Sequence, residues 1–411
     1  MPKLPMEGIR IVDLTAFWSG PFAAVTLANM GAEVIKLEAG KRMDGWRGAG
    51  VATLPEERIW ERAPLFNSMN TDKLGITLDL SNPKGVEIFK RLVKISDVVM
   101  ENFTSRVMKN FGLDYPMLKE INPKIIMISM PAHGATGPWK DKPGFALPIE
   151  QMSGIPQLTG NPDGPPWMTE TSPSDPAAGI NGAMAILTAL LYRQRTGKGQ
   201  YIDLSQIEAL TGCVGDAVVE YTMNKKIRPR YGNHHPFWAP QGYYRCKGDD
   251  KWVGITVKSD AEWVAFCKAI GRASWADDER FADSMSRSQN QDELDKLIEE
   301  WTLENDKYEV MSILQKAGVA AAPVMDGIDH LNDPHLNERG TYQKIDREVS
   351  GTHRLPIPTS PMRFSKCPIA IRRPAPTLGE HNEYVFGELL GMSQEEIQAL
   401  YDEKVTGKLP T

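Results

Sequence analysis

The first half of the chain alternates short apolar runs with longer segments of helical character. The predicted strands cover residues 9–14, 34–38, 76–80, 97–101 and 124–129. The segment after the first strand begins at Gly20-Pro21 and stops at Gly31, as helices do, and another helix begins at Asn82-Pro83. Because strands alternate with helices, the pattern predicts the α/β class with a large, Rossmann-like domain built on a parallel sheet.

A long apolar helix is predicted from Pro176 to about Arg195. Its sequence is rich in Ala and Gly and apolar nearly all round, so we expect it to be buried on several sides. A strand at 201–204 and a helix at 206–223 follow. Residues 227–242 are rich in Pro and Gly and form an irregular boundary.

Residues 243–324 have the pattern of a smaller α+β domain. Two strands precede a helix that Ser259 and Glu262 begin as a capping box, and two further helices repeat apolar residues at i, i+3, i+4 and i+7. We therefore expect residues 1–226 to be the N-terminal part of the large domain, 227–325 the small domain, and 326–411 a C-terminal segment.

The composition is that of a globular protein. Hydrophobic residues make up 41% of the 411 residues and charged residues 24%, with a formal net charge of -6. No apolar run approaches the roughly 18 residues of a membrane span, and residues 1–8 lack the apolar core of a signal peptide. We expect a soluble, cytoplasmic protein that binds neither a membrane nor a nucleic acid.

Metal and nicotinamide chemistry are not indicated. The four cysteines form no C-x-x-C pair, and the histidine pairs His234-His235 and His330 with His335 do not share a helical face. The turn after the first strand carries Phe17 and Trp18 in place of a G-x-G-x-x-G fingerprint. We expect no bound metal and no tightly bound cofactor.

Asp175 stands at the start of the long helix, where two roles are open. Asp is a favourable N-cap residue worth about 1 kcal/mol, and Pro176 suits the next position. A carboxylate at a helix start also stays ionised, so that it can act as a nucleophile. The two roles are compatible.

Several segments resemble the class III CoA-transferases of the CaiB/BaiF type, which include formyl-CoA transferase and carnitine CoA-transferase. The resemblance extends over essentially the whole chain. The segments that carry it are residues 8–15, Ser19-Gly20-Pro21, 31–38, 70–79, 101–103, Asp175-x-x-x-Gly179, 196–200 and 378–381.

The resemblance implies that Asp175 is the catalytic residue, which exchanges CoA between an acyl-CoA and a carboxylic acid through an aspartyl anhydride and an aspartyl-CoA thioester. CoA is then a substrate, and neither ATP nor metal is needed. The positions that match the family's CoA contacts are Phe17, Trp18, Ser19, Leu78, Asn102, Phe103, Asn110 and Phe111. Because relatives often have a basic residue where Asn110 stands, we expect the nearby Arg106 or Lys109 to contact the CoA phosphates. Core packing is the alternative role for Leu78 and Phe103.

The resemblance also implies an interlocked-ring homodimer whose large domain uses both ends of the chain. Two alternatives remain: an α-methylacyl-CoA racemase, which would need a base where Phe145 stands, and a partner subunit of a heteromeric transferase. Aromatic residues point to a bulky or aromatic acyl group, with a succinate-type donor. These residues are Phe17, Trp18, Phe145, Phe237 and Trp238.

Overall fold

The computed structural model of the protein describes residues 3–48, 58–350 and 352–410. The strands are β1 (Arg10–Asp13), β2 (Glu33–Glu38), β3 (Lys73–Thr77), β4 (Val98–Glu101), β5 (Ile126–Ser129), β6 (Tyr201–Asp203), β7 (Gln241–Arg245), β8 (Trp252–Thr256), β9 (Ala320–Pro323), β10 (Tyr342–Arg347) and β11 (Thr352–Pro358). The α-helices are α1 (Ser19–Asn29), α2 (Pro64–Met69), α3 (Pro83–Lys94), α4 (Arg106–Asn110), α5 (Tyr115–Ile121), α6 (Ala146–Ser153), α7 (Ile155–Leu158), α8 (Ser174–Thr196), α9 (Gln206–Thr211), α10 (Gly215–Asn224), α11 (Asp260–Ala269), α12 (Ser284–Gln289), α13 (Gln291–Thr302), α14 (Lys307–Lys316), α15 (Gly327–Asn332), α16 (Pro334–Glu338) and α17 (Gln394–Asp402).

A six-stranded sheet in the order β3-β2-β1-β4-β5-β6 forms the centre of the large unit, and all of its neighbouring strands are parallel. Alternate residues face opposite sides: Ile11 belongs to an apolar cluster with α1 and α8, whereas Val12 belongs to one with α3 and α17. Helices therefore cover both faces, as a parallel sheet requires. The α/β class predicted from the sequence is confirmed.

Two predicted elements differ from the structure. Strand β3 covers Lys73–Thr77 and not 76–80, because Lys73 is buried and its Nζ lies 2.9 Å from Asp13 Oδ2. A pattern that assigns every lysine to solvent misses such a strand. The helix predicted at 206–223 is two helices, α9 and α10, separated by a 3-10 turn at Gly212–Val214.

Helix α8 is buried on one face only, so the expectation of burial on several sides is wrong for the single chain. Its small residues face α1, where a Cβ on Gly179 would lie 2.8 Å from the Ser19 carbonyl oxygen. On the other face, a stripe of large apolar residues is exposed at helical spacing. We call Ile180, Met184, Leu187 and Leu191 the α8 stripe.

The chain divides into two compact units. The first comprises residues 1–155, 168–219 and 335–411, and the second 156–167 and 220–334, whereas the sequence placed the boundaries at 227 and 325. The second unit contains the antiparallel sheet β7-β8-β9 and an apolar core that includes Trp263 and Phe266. In the described ranges, no helix is both long and apolar enough to cross a membrane.

Candidate active site

The strand order of the parallel sheet points to the ends of β1 and β4 as the place where a ligand would bind. These neighbours lie at the centre of the order, where the chain reverses its direction of winding, and ligands of such sheets bind beyond the carboxyl ends there. The residues that follow the two strands are 14–18, which we call the first turn, and Asn102 with Phe103. Both segments were predicted to contact CoA.

Asn102 clamps the first turn through both ends of its amide. Its Oδ1 accepts a hydrogen bond from the Ala16 N–H at 2.9 Å, and its Nδ2 donates to the Ala16 carbonyl at 2.8 Å. A longer hydrogen bond of 3.5 Å runs from Nδ2 to Ser19 Oγ. The amide of Asn102 is therefore engaged within the protein, and it fixes the first turn against β4.

Phe17 adopts a backbone conformation that is rare for an aromatic residue. Its φ of 65° lies in the left-handed region, and its N–H donates to Asp44 Oδ1 at 2.9 Å. Its ring packs edge-on against Trp46 at 5.9 Å and Phe145 at 5.4 Å between centroids. Phe17 is 39% and Phe145 61% exposed, so the pair forms a partly open aromatic wall.

Asp175 is not the N-cap of α8, which corrects the capping prediction. The helix begins at Ser174, its N-cap residue is Pro173, and no side chain caps it. The carboxylate instead turns to α1, and its Oδ1 accepts a hydrogen bond from the Ser19 N–H at 3.2 Å. Because Gly179 has no side chain, α1 can pack closely against α8 at Ser19. The same close packing places the Ser19 N–H beside Asp175.

The environment of Asp175 changes its acidity. The residue is only 7% exposed, and burial raises its pKa from the ordinary 3.8 to about 6, although hydrogen bonds from the backbone and hydroxyl of Ser19 lower it. The anion still predominates at pH 7, and a less solvated carboxylate is a stronger nucleophile.

The remaining predicted contact residues lie in different surroundings. Leu78 is fully buried in the apolar cluster that contains Val12, and Phe103 and Phe111 pack against that cluster. Residues Arg106, Lys109 and Asn110 are exposed on α4, and in the part of the chain that the structure describes no hydrogen bond joins them to Asp175. Trp18 is half-buried at the N-cap of α1.

Asp44 and Glu101 are site-adjacent acids that the sequence reasoning missed. Asp44 holds Phe17 as described above. Glu101, at the end of β4, is 3% exposed, and burial raises its pKa to about 7 even though it accepts a hydrogen bond from the Phe103 N–H at 2.7 Å. Of the two, only Asp44 could have been noticed in the sequence, because an aspartate is a favourable N-cap for the short helical turn at Gly45–Arg47.

Comparison with known proteins establishes the family of the chain. A family model described as CoA-transferase family III matches residues 6–382, and the chain belongs to this family. It is therefore a CoA-transferase, and the expected family is confirmed.

Individual relatives cover almost the whole chain. The succinyl-CoA–L-malate CoA-transferase beta subunit of Chloroflexus aurantiacus is 34% identical over 404 residues, which span 98% of both chains. The succinate–glutarate CoA-transferase of Agrobacterium fabrum is 32% identical over 390 residues, 94% of this chain and 96% of that one. A crystal structure of a CaiB/BaiF family protein from Brucella suis has a TM-score of 0.86 at 34% identity, covering 94% of this chain and 100% of that one.

Proposed function

We propose that this CoA-transferase works through covalent intermediates on Asp175. The observation that carries the proposal is a carboxylate that is 7% exposed, with one oxygen held by the N–H of Ser19, which begins the helix that follows β1. Burial withdraws the nucleophile from water, which would otherwise compete for an activated acyl group.

The reaction proceeds by two reversible exchanges. Asp175 Oδ2 attacks the thioester carbonyl of the donor, the C–S bond breaks, and CoA leaves as a thiolate. The thiolate attacks the aspartyl Cγ of the resulting anhydride and releases the donor acid as a carboxylate. The acceptor carboxylate then attacks the aspartyl thioester, and the released thiolate attacks the acceptor's carbonyl carbon, which regenerates Asp175. Each step exchanges one activated acyl bond for another.

The Ser19 N–H assigns different tasks to the two oxygens of Asp175. Because Oδ1 accepts this hydrogen bond, Oδ2 is the oxygen left to attack. When the thiolate adds to Cγ, negative charge develops on Oδ1, where the N–H of Ser19 at the start of α1 already points. The same donor therefore orients the nucleophile and stabilises the oxyanion of the aspartyl intermediate.

The substrates that the site favours are an acyl-CoA and an acid with an apolar or aromatic part. The aromatic wall of Phe17 and Phe145 is partly open and supports the second half of this proposal. Two relatives are named for succinyl-CoA or succinate, and we propose succinyl-CoA as the donor. The exposed side chains of Arg106 and Lys109 are suited to the CoA phosphates. CoA is the substrate, and no other cofactor takes part.

The exposed α8 stripe supports assembly from two copies. Ile180 and Met184 are each 60% exposed, and large apolar residues aligned along one helix face are typical of a covered surface. We propose a homodimer, interlocked as the family resemblance implies. One relative is named as a beta subunit, so a related chain is the alternative partner.

The test is the intact mass of the protein after incubation with acyl-CoA alone. The native enzyme should gain a covalent CoA adduct on Asp175, which hydroxylamine converts to an aspartyl hydroxamate with release of CoA, whereas Asp175→Asn should gain none. Asp97→Asn is the matched control, because Asp97 also receives a backbone hydrogen bond, from Arg10, but at the amino end of β4, and it should keep the adduct.

A panel of acids then separates the alternatives. Transfer of CoA from succinyl-CoA to an apolar or aromatic acid supports the proposal. Epimerisation of a chiral acyl-CoA without exchange would favour the racemase, and an adduct that forms only when a related chain is added would favour the heteromer. Full turnover by Asp175→Asn would refute the aspartyl mechanism.

A further inference from the structure

Asp44 is a buried carboxylate that the proposed mechanism does not use. Its side chain is inaccessible to solvent, and one oxygen, Oδ1, accepts two backbone hydrogen bonds: from the Phe17 N–H at 2.9 Å and from the Trp46 N–H at 3.0 Å. The Asp44 N–H donates in turn to Glu38 Oε1 at 2.9 Å. The carboxylate therefore joins the first turn to the chain that follows β2.

The second oxygen of Asp44 is held by an equally buried cation. Lys36 Nζ lies 2.9 Å from Asp44 Oδ2 and donates to the Thr15 carbonyl at 2.8 Å. Burial disfavours the Lys36 ammonium, but the negative charges of Asp44, Asp13 and Glu38 outweigh it, so the pKa of Lys36 is raised. The Lys36 ammonium thus holds both Asp44 and the Thr15 carbonyl of the first turn.

The held conformation is one that Phe17 would not adopt unaided. A φ of 65° is unfavourable for a residue with a Cβ, and such conformations persist where the surroundings impose them. The Phe17 ring also occupies the space above Gly45, where a Cβ would lie 3.0 Å or less from the ring. Two residues further on, Ser19 presents its N–H to Asp175.

We infer that Asp44 is a positioning residue: by holding the Phe17 N–H, it directs the first turn so that the Ser19 N–H faces Asp175. This inference rests on the proposed function, since it gives the Ser19 N–H a purpose. It assigns Asp44 no contact with substrate. The acceptor oxygen Oδ1 is the essential part, and the charge on Oδ2 only secures it.

The experiment compares Asp44→Ala and Asp44→Asn in the full-length enzyme. The Ala variant loses the acceptor, and a displacement of about 1 Å should slow adduct formation on the order of 100-fold. The Asn variant keeps an acceptor oxygen for Phe17 and should lose less than about tenfold. In the Ala variant the acid limb of the pH profile should also move to higher pH, because Asp175 loses the hydrogen bond that favours its anion.

Glu61→Gln is the matched control for lost stability. Glu61 is also fully buried, pairs with Arg47 at 2.8 Å, and accepts the Leu378 N–H at 2.9 Å, but among the described residues no hydrogen bond joins it to the first turn. Glu61 is linked to Asp44 indirectly, through Arg47 and Glu38, so its variant should lower the melting temperature and leave the acid limb where it is.

Three outcomes overturn the inference: full adduct formation by Asp44→Ala, a folded Asp44→Asn that is slowed 100-fold, or an acid limb that moves equally in Glu61→Gln. If Asp44→Ala does not fold, the rate of adduct formation by Asp44→Asn still tests the inference, because a 100-fold loss there would overturn it. An active Asp175→Asn refutes the proposed function itself, whereas an inactive one beside a fully active Asp44→Ala refutes only the inference.

Discussion

Lowering the pH through about 6 should switch off the first half-reaction of this enzyme. Burial raises the pKa of Asp175 from 3.8 to about 6, and only the anion attacks the thioester. A carboxylate with that pKa is about nine-tenths ionised at pH 7 and about one-tenth at pH 5. The rate should therefore fall about tenfold between these values, whereas an ordinary aspartate would lose almost nothing.

The assay is formation of the covalent adduct in a single turnover at subsaturating acyl-CoA, where the pH profile reports the free enzyme. Omitting the acceptor removes the titration of its own carboxylate. Asp97→Asn should show the same profile as the native enzyme. An acid limb near pH 4 would refute the conclusion that burial dominates the acidity of Asp175.

The raised pKa also predicts that the nucleophile destabilises the fold. A shift of about two units corresponds to about 3 kcal/mol, by which folding disfavours the anion at pH values well above 6. The penalty is relieved as the pH falls through 6 towards 4, where the folded state takes up its proton. Asp175→Asn should thus raise the free energy of unfolding at pH 8 by up to about 3 kcal/mol, with a gain that vanishes near pH 4. No gain in chemical denaturation at pH 8 would contradict this reasoning.

Two further predictions concern packing and selectivity. Gly179→Ala places a Cβ 2.8 Å from the Ser19 carbonyl oxygen, so it should lower the free energy of unfolding by about 1–3 kcal/mol and reduce turnover. Gly215→Ala is the control: among the described residues, a Cβ there would have no neighbour from outside its own helix within 4 Å, so the variant should be neutral or slightly stabilised. Phe145→Ala should raise KM for an aromatic acid about tenfold with little effect on kcat, and Trp139→Ala, equally aromatic but in contact with His133, should not. If Gly179→Ala and Gly215→Ala changed stability equally, or Phe145→Ala and Trp139→Ala changed KM equally, the reasoning would be contradicted.

The central sheet was predictable because its strands are short apolar runs separated by helices. The predicted strands at 9–14, 34–38 and 97–101 overlap β1, β2 and β4, and β3 was misplaced where Lys73 enters a strand as half of a buried ion pair. The local pattern of apolar and polar residues indicates which residues are buried on average. It does not report that a distant aspartate will neutralise a particular lysine.

The surroundings of the candidate site residues could not be predicted from the sequence. The resemblance pointed to Asp175 and to the first turn, yet the partner of the carboxylate is a backbone N–H 156 residues away in the chain. The cap role failed for the same reason, because α8 begins at Ser174 and the side chain turns to α1. Nothing in residues 173–176 encodes that choice.

By itself, the sequence determined the alternating α/β architecture, the class of transferase, and a carboxylate near the head of a long helix. The architecture and the carboxylate follow from periodicity and turn residues, which act over a few neighbouring positions, and the class of transferase follows from the family resemblance. The tertiary structure alone decided that Asp175 is desolvated, that Asp44 holds Phe17, and that one face of α8 stays open. Desolvation and hydrogen bonding depend on which distant segments pack together, because each of these effects reaches only a few ångströms through space.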